Sequence, residues 1–433
     1  MSSAVRDDAV EAVMAHVDAD LLREVVVGLV DVPSPTGEER ALATWAVDHL
    51  AGAGVEARVQ PLDDRQANAV GRVRGAEGGP SLLLYAPIDT LTTGNADEDE
   101  PWAADSLRPD MLPHARVDGD HVVGLGASNP KGHAACVMVA GEAIRRSGLA
   151  LAGDLWLGLG AGGMPTNRRA RPDLPRENAG QGVGCSFMLE QGVFPDHAVI
   201  AKPGGAVAWE EVGLCWFDVT VRGTFSYVGS RHRMPYVNPI VEIGKVVAGI
   251  EAWLPTYAAR HTAGLVAPQG NIGSVRAGYP HMPAVSPASC TLRVDLRIGP
   301  DTTPQQARRE FGEAMAGIRA QHPELDLDWD MVLAIPGTRT DPDALVVRAA
   351  VAAWETDRGR THEPIVANSG ATDANILRSR GVSTARIGMD RIGPDAPLAL
   401  DFPAGMNVVD VREMARLTRW LVRTALGVLQ PTA

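Results

Sequence analysis

Short apolar runs that alternate with helix-forming segments constrain the fold of this chain more than any other feature. Residues 81–85 (SLLLY), 155–159 (LWLGL) and 198–201 (AVIA) are almost wholly apolar and are bounded by polar or turn-forming residues. Strands in a sheet that helices cover on both faces have this composition. The first 208 residues therefore predict an α/β domain in which a mixed sheet is flanked by helices.

The pattern changes between residues 209 and 335. Residues 215–222 alternate between apolar and polar side chains, as in a half-exposed strand, and residues 238–254 have the periodicity of a long amphipathic helix. About four such strands with two helices predict an α+β domain. The buried pattern then resumes, so we predict one discontinuous α/β domain of residues 1–208 and 336–433, with residues 209–335 inserted. A chain of 433 residues is long enough for two cores.

Two local signals predict further elements of the first domain. Thr36 and Glu39 have the spacing of a capping box, which would start a helix running to about residue 50. Residues 365–367 (IVA) form a short apolar run and are expected to be a strand.

Composition argues against several classes of function. The net charge of −13 argues against a nucleic-acid partner, because such partners require a basic surface. No apolar stretch approaches the ~18 residues of a membrane span, and the N-terminal residues lack the uninterrupted apolar run of a signal peptide. The four cysteines have no CxxC spacing and are expected to be reduced thiols. We therefore expect a cytoplasmic protein whose partner is a small-molecule substrate, with no nucleic acid and no membrane.

Seven short motifs occur in an order and at a spacing that point to one family. They are VPSPTGEE (32–39), LLYAPIDT (83–90), GLGASNPKG (124–132), PDHAVIAKP (195–203), VDLR (294–297), SGATDA (369–374) and NVVDV (407–411). On these motifs the chain resembles the dinuclear-zinc aminoacylases, succinyl-diaminopimelate desuccinylases, acetylornithine deacetylases and carboxypeptidase G. The resemblance implies a zinc-aminopeptidase-like catalytic domain with an inserted ferredoxin-like lid. Because such lids are often used for dimerisation, we expect a homodimer formed through the lid.

The residues that would hold the zinc ions are replaced. By the resemblance, two histidines and three carboxylates bind the metals, but here the first histidine position is Pro87 and the last is Pro403. The bridging aspartate is Asn129, and a further carboxylate is Lys202. Proline has no side-chain donor, and an ammonium group repels a cation, whereas zinc needs anionic or imidazole ligands. We therefore predict no metal and no other cofactor.

The glutamate pair that the resemblance implies can be placed in two ways. Counting directly from the preceding strand puts it on Gly162 and Gly163. If residues 161–176 are an insertion, the pair falls on Glu177 and Asn178, which keeps the general base and loses the adjacent ligand. We favour the second register.

The replacements themselves suggest a metal-free catalytic site. Lys202, with Lys131 nearby, restores positive charge that can stabilise a developing oxyanion. Asp89 would pair with Lys202, Glu177 would be the general base, and His133 would act as an acid or base near pH 7.

Each of these candidates also has a structural interpretation. Lys202 would then only neutralise a buried Asp89, and Lys131 would support the loop in which it lies. His133 would be a surface or capping residue, and Glu177 a solvated loop residue.

Two loops are expected to lie near the site. Residues 127–133 precede a helix and could offer backbone N–H groups to an anion. Residues 164–178 are rich in Arg and Pro, and this loop could cover the cleft.

A further set of residues matches positions that, by the resemblance, contact substrate. The set is Asn129, Tyr227, His232, Asn271, Arg297, Ser369, Gly370 and Asp373. Tyr227 is at the position of a lid histidine, and His232 would substitute for it after a loop shift. Asn271 and Arg297 would hold a substrate carboxylate, which suits the forked guanidinium.

Two members of that set also have structural alternatives. Arg297 could instead pair with Asp295 or Glu310 within its own domain. Asp373 could instead cap the helix that follows it.

Three functions follow from this sequence. We favour a metal-independent enzyme that hydrolyses or transfers at an amide-like C–N bond of a small carboxylated molecule. The alternatives are a catalytically inactive binding or regulatory homologue, and an ordinary zinc-dependent amidohydrolase or peptidase. Fold alone does not decide among them.

Overall fold

The computed structural model describes residues 7–166, 178–390, 392, 395, 397 and 401–430. Its helices are α1 (Asp7–Met14), α2 (Ala19–Asp31), α3 (Arg40–Gly52), α4 (Ala96–Asp99), α5 (Lys131–Ser147), α6 (Val183–Glu190), α7 (Pro239–His261), α8 (Pro304–Gln321), α9 (Leu345–Arg358), α10 (Ala374–Ser379), α11 (Phe402–Asn407) and α12 (Val411–Leu429).

Its strands are β1 (Glu56–Pro61), β2 (Ala67–Val73), β3 (Leu82–Pro87), β4 (Arg116–Asp118), β5 (His121–Val123), β6 (Leu155–Gly160), β7 (His197–Ala201), β8 (Glu210–Glu211), β9 (Gly213–Arg222), β10 (Ser226–Tyr227), β11 (Gly270–Ala277), β12 (Val285–Ser286), β13 (Ser289–Ile298), β14 (Asp326–Ile335), β15 (Thr338–Arg339), β16 (Ser383–Ile387) and β17 (Val408–Asp410). No helix in the described part of the chain is long and apolar enough to cross a membrane.

The chain divides into two compact units. Unit 1 comprises Met1–Trp209, Thr340–Ile365 and Thr372–Ala433, and unit 2 comprises Glu210–Arg339 and Val366–Ala371.

Unit 1 is built on a six-stranded mixed sheet with the strand order β1-β2-β6-β3-β7-β16. The four strands from β6 to β16 are parallel to one another, whereas β2 is antiparallel to both β1 and β6. β3 is buried along its whole length, as expected of a strand with helices on both faces. The predicted α/β class is therefore confirmed.

The helices of unit 1 bury one continuous apolar core against this sheet. Helix α5 is buried from Lys131 to Ile144 and packs against α2, α12 and β3. Asp410 caps helix α12, because its side chain accepts a hydrogen bond from the backbone N–H of Arg412.

The parallel strands bring chemically important residues to one edge of the sheet. The carboxyl ends of β3, β6 and β7 lie side by side, so Asp89, Gly162 and Lys202 follow neighbouring strands. In open α/β sheets the crevice at this edge is where ligands bind.

Unit 2 contains a four-stranded antiparallel sheet with the order β11-β13-β9-β14, packed against α7 and α8. Alternate residues of β13 are buried, which agrees with the predicted half-exposed strands. The aromatic centre of its core is Phe311, whose ring stacks on Phe217 with 4.1 Å between centroids.

Two local predictions were wrong. Thr36 does not cap α3, because its hydroxyl donates to Asp89, and Glu39 at the N-cap position makes no capping bond. Residues 365–367 are not a strand; the chain makes only an isolated bridge at Asn368, and Ala367 has a φ of 58°, which interrupts extended backbone.

Phe311→Ala should destabilise unit 2 strongly. Phe311 is fully buried and also contacts the rings of Trp253 and Trp329, so its removal leaves a cavity and should cost about 3–5 kcal/mol. Urea unfolding followed by tryptophan fluorescence measures the loss. Tyr279→Ala is the matched control, because that ring in the same unit is 57% exposed and should change stability by less than about 0.5 kcal/mol. Equal losses in the two variants would contradict this account of the core.

Candidate functional site

The carboxylate of Asp89 is a buried acceptor for three donors. Asp89 follows β3 and is 0% exposed. Its Oδ1 accepts from the N–H of Gly163 at 2.7 Å, and its Oδ2 accepts from the N–H of Met164 at 2.9 Å and from the Thr36 hydroxyl at 2.7 Å. Burial raises the pKa of Asp89, while Thr36, the Met164 amide and the charge of Lys202 lower it. These donors tie the segment after β6 to the end of β3.

Glu39 is a second buried carboxyl group beside the same segment. Its Oε1 accepts from the N–H of Gly37 at 2.9 Å and from that of Gly162 at 3.0 Å. Its Oε2 has no hydrogen-bond partner within the described residues. Burial, and then the charge of Asp89, raise the pKa of Glu39 to about 8. Glu39 is therefore largely protonated at neutral pH.

Lys202 places a nearly buried ammonium group at the sheet edge. It follows β7, is 8% exposed, and its Nζ donates to Oδ1 of Asn129 at 3.1 Å. An ammonium group can only donate, so this contact fixes the orientation of the Asn129 amide. The structure thus brings together Lys202, Asn129 and Asp89, with Lys202 lowering the pKa of Asp89 by attraction.

The predicted role of Lys131 near the reacting groups is not supported. Its side chain is 0% exposed, and its Nζ donates to the carbonyl of Val32, the C-terminal cap of α2, at 2.9 Å. Burial lowers the pKa of Lys131 to about 7, and Asp31 partly opposes that shift. Lys131 therefore satisfies a helix end, which is the structural alternative for this residue.

His133 is also engaged structurally, contrary to the predicted acid–base role. Its Nδ1 lies 2.8 Å from the carbonyl of Ser128, and its Nε2 accepts from the N–H of Met389 at 3.3 Å. Burial lowers its pKa to about 3, so the ring is neutral and both nitrogens are occupied. It is neither a surface residue nor a proton carrier near pH 7.

Three of the N–H groups in the loop before α5 already have backbone acceptors. The N–H groups of Ser128 and Asn129 both donate to the carbonyl of Met406, at 2.9 and 3.0 Å. The N–H of Lys131 donates to the carbonyl of Gly126. An anion would have to displace these bonds.

The segment after β6 bears on the two placements of the glutamate pair. Gly162 has a φ of 64° and Gly163 lies against Pro87, where an added Cβ would be 2.4 Å from the proline Cβ. Glycine is therefore required at both positions. Asn178 is exposed, and Glu177 lies outside the described residues, as does most of the predicted loop 164–178. Because Glu177 lies outside the described residues, the choice between the two placements of the glutamate pair stays a prediction.

Asp373 makes a contact that the sequence did not reveal. The residue is 4% exposed, and its Oδ2 accepts from the hydroxyl of Tyr85 at 2.6 Å. It occupies the N-cap position of α10, but its side chain makes no capping bond, so the capping alternative was wrong. Burial and the neighbouring Asp373 keep the pKa of Tyr85 high, so the phenol remains a donor.

In unit 2, the predicted carboxylate-binding arginine already has an acidic partner. Nε of Arg297 lies 2.9 Å from Oδ1 of Asp295, and its backbone N–H donates to the carbonyl of Gln269. Asn271 is exposed and lies directly opposite Asp295 in the sheet register. The Asp295 alternative for Arg297 is therefore the observed one, and a substrate carboxylate would have to compete with Asp295.

The remaining predicted contacts of unit 2 lie in two places. Ser369 accepts a hydrogen bond from the N–H of Gln269 at 3.2 Å, which joins it to the strand that leads to Asn271, and Gly370 is exposed beside it. Tyr227 is 59% exposed in β10. His232 is exposed and accepts from Nε of Arg233 at 3.0 Å.

Two relatives and a solved structure resemble this chain. The N-formyl-4-amino-5-aminomethyl-2-methylpyrimidine deformylase of Bacillus subtilis is 24% identical over 230 residues, which are 50% of this chain and 47% of that protein. The [LysW]-lysine hydrolase of Deinococcus radiodurans is 30% identical over 189 residues, which are 43% of this chain and 41% of that protein. The chain thus matches less than half the length of these curated relatives. No family model matches it.

The likeness in three dimensions extends over nearly the whole chain. The M20 family metallo-carboxypeptidase Sso-CP2 of Sulfolobus solfataricus superposes with a TM-score of 0.65 at 13% identity and covers 94% of this chain and 98% of that one. The chain has the fold of an M20 metallopeptidase. The predicted fold, with an α/β part and an α+β part, is therefore confirmed.

The residues at the sheet edge of this M20 fold do not fit the zinc pair that the resemblance implies. The side chains of Pro87 and Pro403 have no atom that can bind a metal. Zinc would need anionic ligands at the position of Lys202, but the Nζ of Lys202 is cationic and donates a hydrogen bond to Asn129. The two buried carboxyl groups, Asp89 and Glu39, are turned towards backbone N–H groups. Among the described residues, no group of three or more His, Cys, Asp or Glu is arranged to hold a metal ion.

Glu39→Gln should flatten the dependence of stability on pH. The folded pKa of about 8 exceeds the ordinary value of 4.5, so between these values the native state keeps a proton that the unfolded chain has lost. The stabilisation is complete below pH 4.5 and is lost as pH rises to about 8, with a slope of up to about 1.4 kcal/mol per pH unit.

Urea unfolding at a series of pH values tests this, with the variant expected to lose the slope. Glu38→Gln is the control, since Glu38 is only half-buried and pairs with Arg65. The same slope in wild type and Glu39→Gln would show that Glu39 does not keep its proton.

Proposed function

We propose that unit 1 acts on a small carboxylated molecule at a metal-free site, where it hydrolyses or transfers at an amide-like C–N bond. The names of the two relatives, a deformylase and a lysine hydrolase, support this class of bond. The M20 peptidase fold supports a hydrolase-type scaffold. The observation that carries the proposal is the nearly buried ammonium of Lys202, held by Asn129 at the ligand-binding edge of the sheet.

Lys202 would stabilise the negative charge that develops when a carbonyl is attacked. A fixed positive charge acts more strongly in a water-poor site, because the local dielectric is low. The contact with Asn129 and the attraction of Asp89 keep the ammonium of Lys202 in position. As an alternative role, the ammonium of Lys202 would bind the carboxylate of the substrate.

The two buried carboxyl groups at the sheet edge, Asp89 and Glu39, are poor general bases. Both oxygens of Asp89 accept hydrogen bonds, and Glu39 keeps its proton near neutral pH. Glu177, outside the described residues, therefore remains our candidate base. In hydrolysis it would take a proton from water as the water oxygen bonds to the acyl carbon. The C–N bond then breaks, and the amine leaves with that proton.

A second candidate function is ligand binding without turnover. The structural engagement of Lys131 and His133 favours it, because two of the five predicted catalytic groups are thereby removed from the chemistry. Lys202 and Asn129 would then recognise a carboxylate or carbonyl without breaking a bond.

We also propose that the protein is a cytoplasmic homodimer formed through unit 2. Many large apolar side chains of unit 2 are exposed between residues 225 and 241, and patches of this kind mark interaction sites. They are Phe225, Tyr227, Val228, Met234, Val237, Ile240 and Val241. The four cysteines are unpaired and buried, which suits a reducing compartment.

Lys202→Met should abolish the proposed activity. The loss of one stabilising charge should lower kcat/KM by about 100-fold or more on a panel of N-formyl and N-acyl amino acids, measured as amine release. Lys202→Arg should keep part of the activity because it keeps the charge. Lys245→Met is the control, as Lys245 pairs with Glu242 and Glu324 in unit 2.

Two results would contradict this role of Lys202. Full turnover by a folded Lys202→Met protein would remove the electrostatic role altogether. Wild-type binding of the panel without amine release, lost in Lys202→Met, would instead establish the second candidate function.

The purified protein should not depend on zinc. Because the donor set does not fit a zinc pair, protein expressed with added zinc should contain substoichiometric metal by elemental analysis. Dialysis against a chelator should leave its melting temperature and its activity unchanged. A stoichiometric pair of zinc ions would contradict the metal-free site and make the chain a conventional hydrolase.

A further inference from the structure

We infer that a cavity beside Asn129 binds a large apolar group, aromatic or branched aliphatic, of the molecule whose carboxylate or carbonyl lies at Lys202. This inference rests on the proposed function, because it names the substrate class of the same site. It assigns to the cavity a role in selecting substrates.

The cavity lies wholly within unit 1 and has a volume of about 440 Å³. It is walled by the segment after β3, the segment around α4, the loop before α5, and α11. Pockets of roughly 300–1,000 Å³ suit small molecules. This size therefore fits part of a small substrate.

Two aromatic side chains in the cavity wall are unusually exposed. Trp102 is 85% exposed and Phe402 is 72% exposed, whereas Met111 and Leu125 in the same wall are buried. Large apolar side chains that line a concave surface and face water gain free energy when an apolar group covers them. The composition of the wall thus favours an apolar occupant.

The buried polar groups in the wall already have intramolecular partners. The Thr90 hydroxyl donates to the carbonyl of Thr92, and the Asp99 carboxylate accepts from the N–H of Gly94. Oδ1 of Asn407 accepts from the N–H of Gly126. These three side chains therefore shape the cavity rather than bind a polar ligand.

Asn129 is different, because one end of its amide is available. Its Oδ1 accepts from Lys202, and its Nδ2 has no hydrogen-bond partner in the described part of the chain. Since Lys202 excludes the flipped orientation, the free group is a donor and matches a carbonyl or carboxylate oxygen. Asn129 lies in the cavity wall, so this donor marks the polar end of the occupant.

The charges in the wall set the direction of the ligand. The described wall contains Glu98 and Asp99 but no Lys, Arg or His. A substrate carboxylate is therefore disfavoured inside the cavity and favoured at Lys202 and Asn129. The apolar group then occupies the cavity.

Direct binding of two probes tests this without requiring turnover. N-acetyl-L-phenylalanine and N-acetylglycine share the carboxylate and the amide and differ in the benzyl group. Burial of that group should make the first bind about 10-fold or more tightly by isothermal titration calorimetry. Equal affinities, or no saturable binding of either probe, would overturn the inference.

Variants of the cavity wall test whether the cavity causes the preference for N-acetyl-L-phenylalanine. Phe402→Ala should reduce the preference for N-acetyl-L-phenylalanine at least severalfold, and Ala103→Phe should abolish it by filling the cavity. Phe194→Ala is the matched control, because Phe194 is 56% exposed in unit 1 and is not in the cavity wall. An unchanged preference in both Phe402→Ala and Ala103→Phe would place the aromatic group elsewhere and overturn the inference.

Lys202→Met separates this inference from the proposed function. This variant should lower the affinity for both probes by the same factor, since both carry the same carboxylate. The ratio of the two affinities should therefore stay unchanged. Unchanged binding would count against the role of Lys202 while the ratio still supports the cavity. A ratio that falls to one only in Lys202→Met would overturn the assignment of the cavity.

Discussion

Two buried carboxyl groups hold the edge of the unit 1 sheet together. Asp89 accepts from the amides of Gly163 and Met164, and Glu39 accepts from the amide of Gly162, so three successive N–H groups are taken by two acids. Buried backbone donors must be satisfied, and here side chains from two other segments do it. The position of the segment after β6 therefore depends on these acids. The hydrogen bonds also hold the Asp89 carboxylate in place, and so determine its distance from Lys202.

The ammonium of Lys202 is tolerated because its surroundings offset its desolvation. Removal of a charge from water costs several kcal/mol unless hydrogen bonds and an opposite charge compensate. Asn129 accepts from Lys202, and Asp89 supplies the negative charge. Lys131 shows the contrasting case, because it has a carbonyl partner and only a weak acidic influence, and its pKa falls to about 7. Of the two buried lysines, Lys202 is the one that lies at the sheet edge beside Asn129 and Asp89.

The fold could be read from the sequence, whereas the direction of individual side chains could not. Apolar runs such as 81–85 report burial on both faces, which determines the sheet. The spacing of Thr36 and Glu39 fits a helix cap equally well, and only the tertiary contact with Asp89 reveals their use. The state of His133 likewise could not be read from the sequence, because its ring is neutral owing to burial among groups distant in sequence.

The charges around the proposed site favour one orientation of a ligand. Lys202 and the fixed amide of Asn129 offer donors on one side, and the acids and apolar side chains of the cavity repel an anion on the other. A molecule with a carboxylate at one end and an apolar group at the other satisfies both, whereas a small polar acid satisfies only the first. In the metal-free site that we propose, one ammonium binds the polar end, and it supplies less binding energy there than a pair of divalent cations would. The apolar end must then contribute a larger share of the affinity, which makes selectivity for large apolar groups a consequence of the altered site.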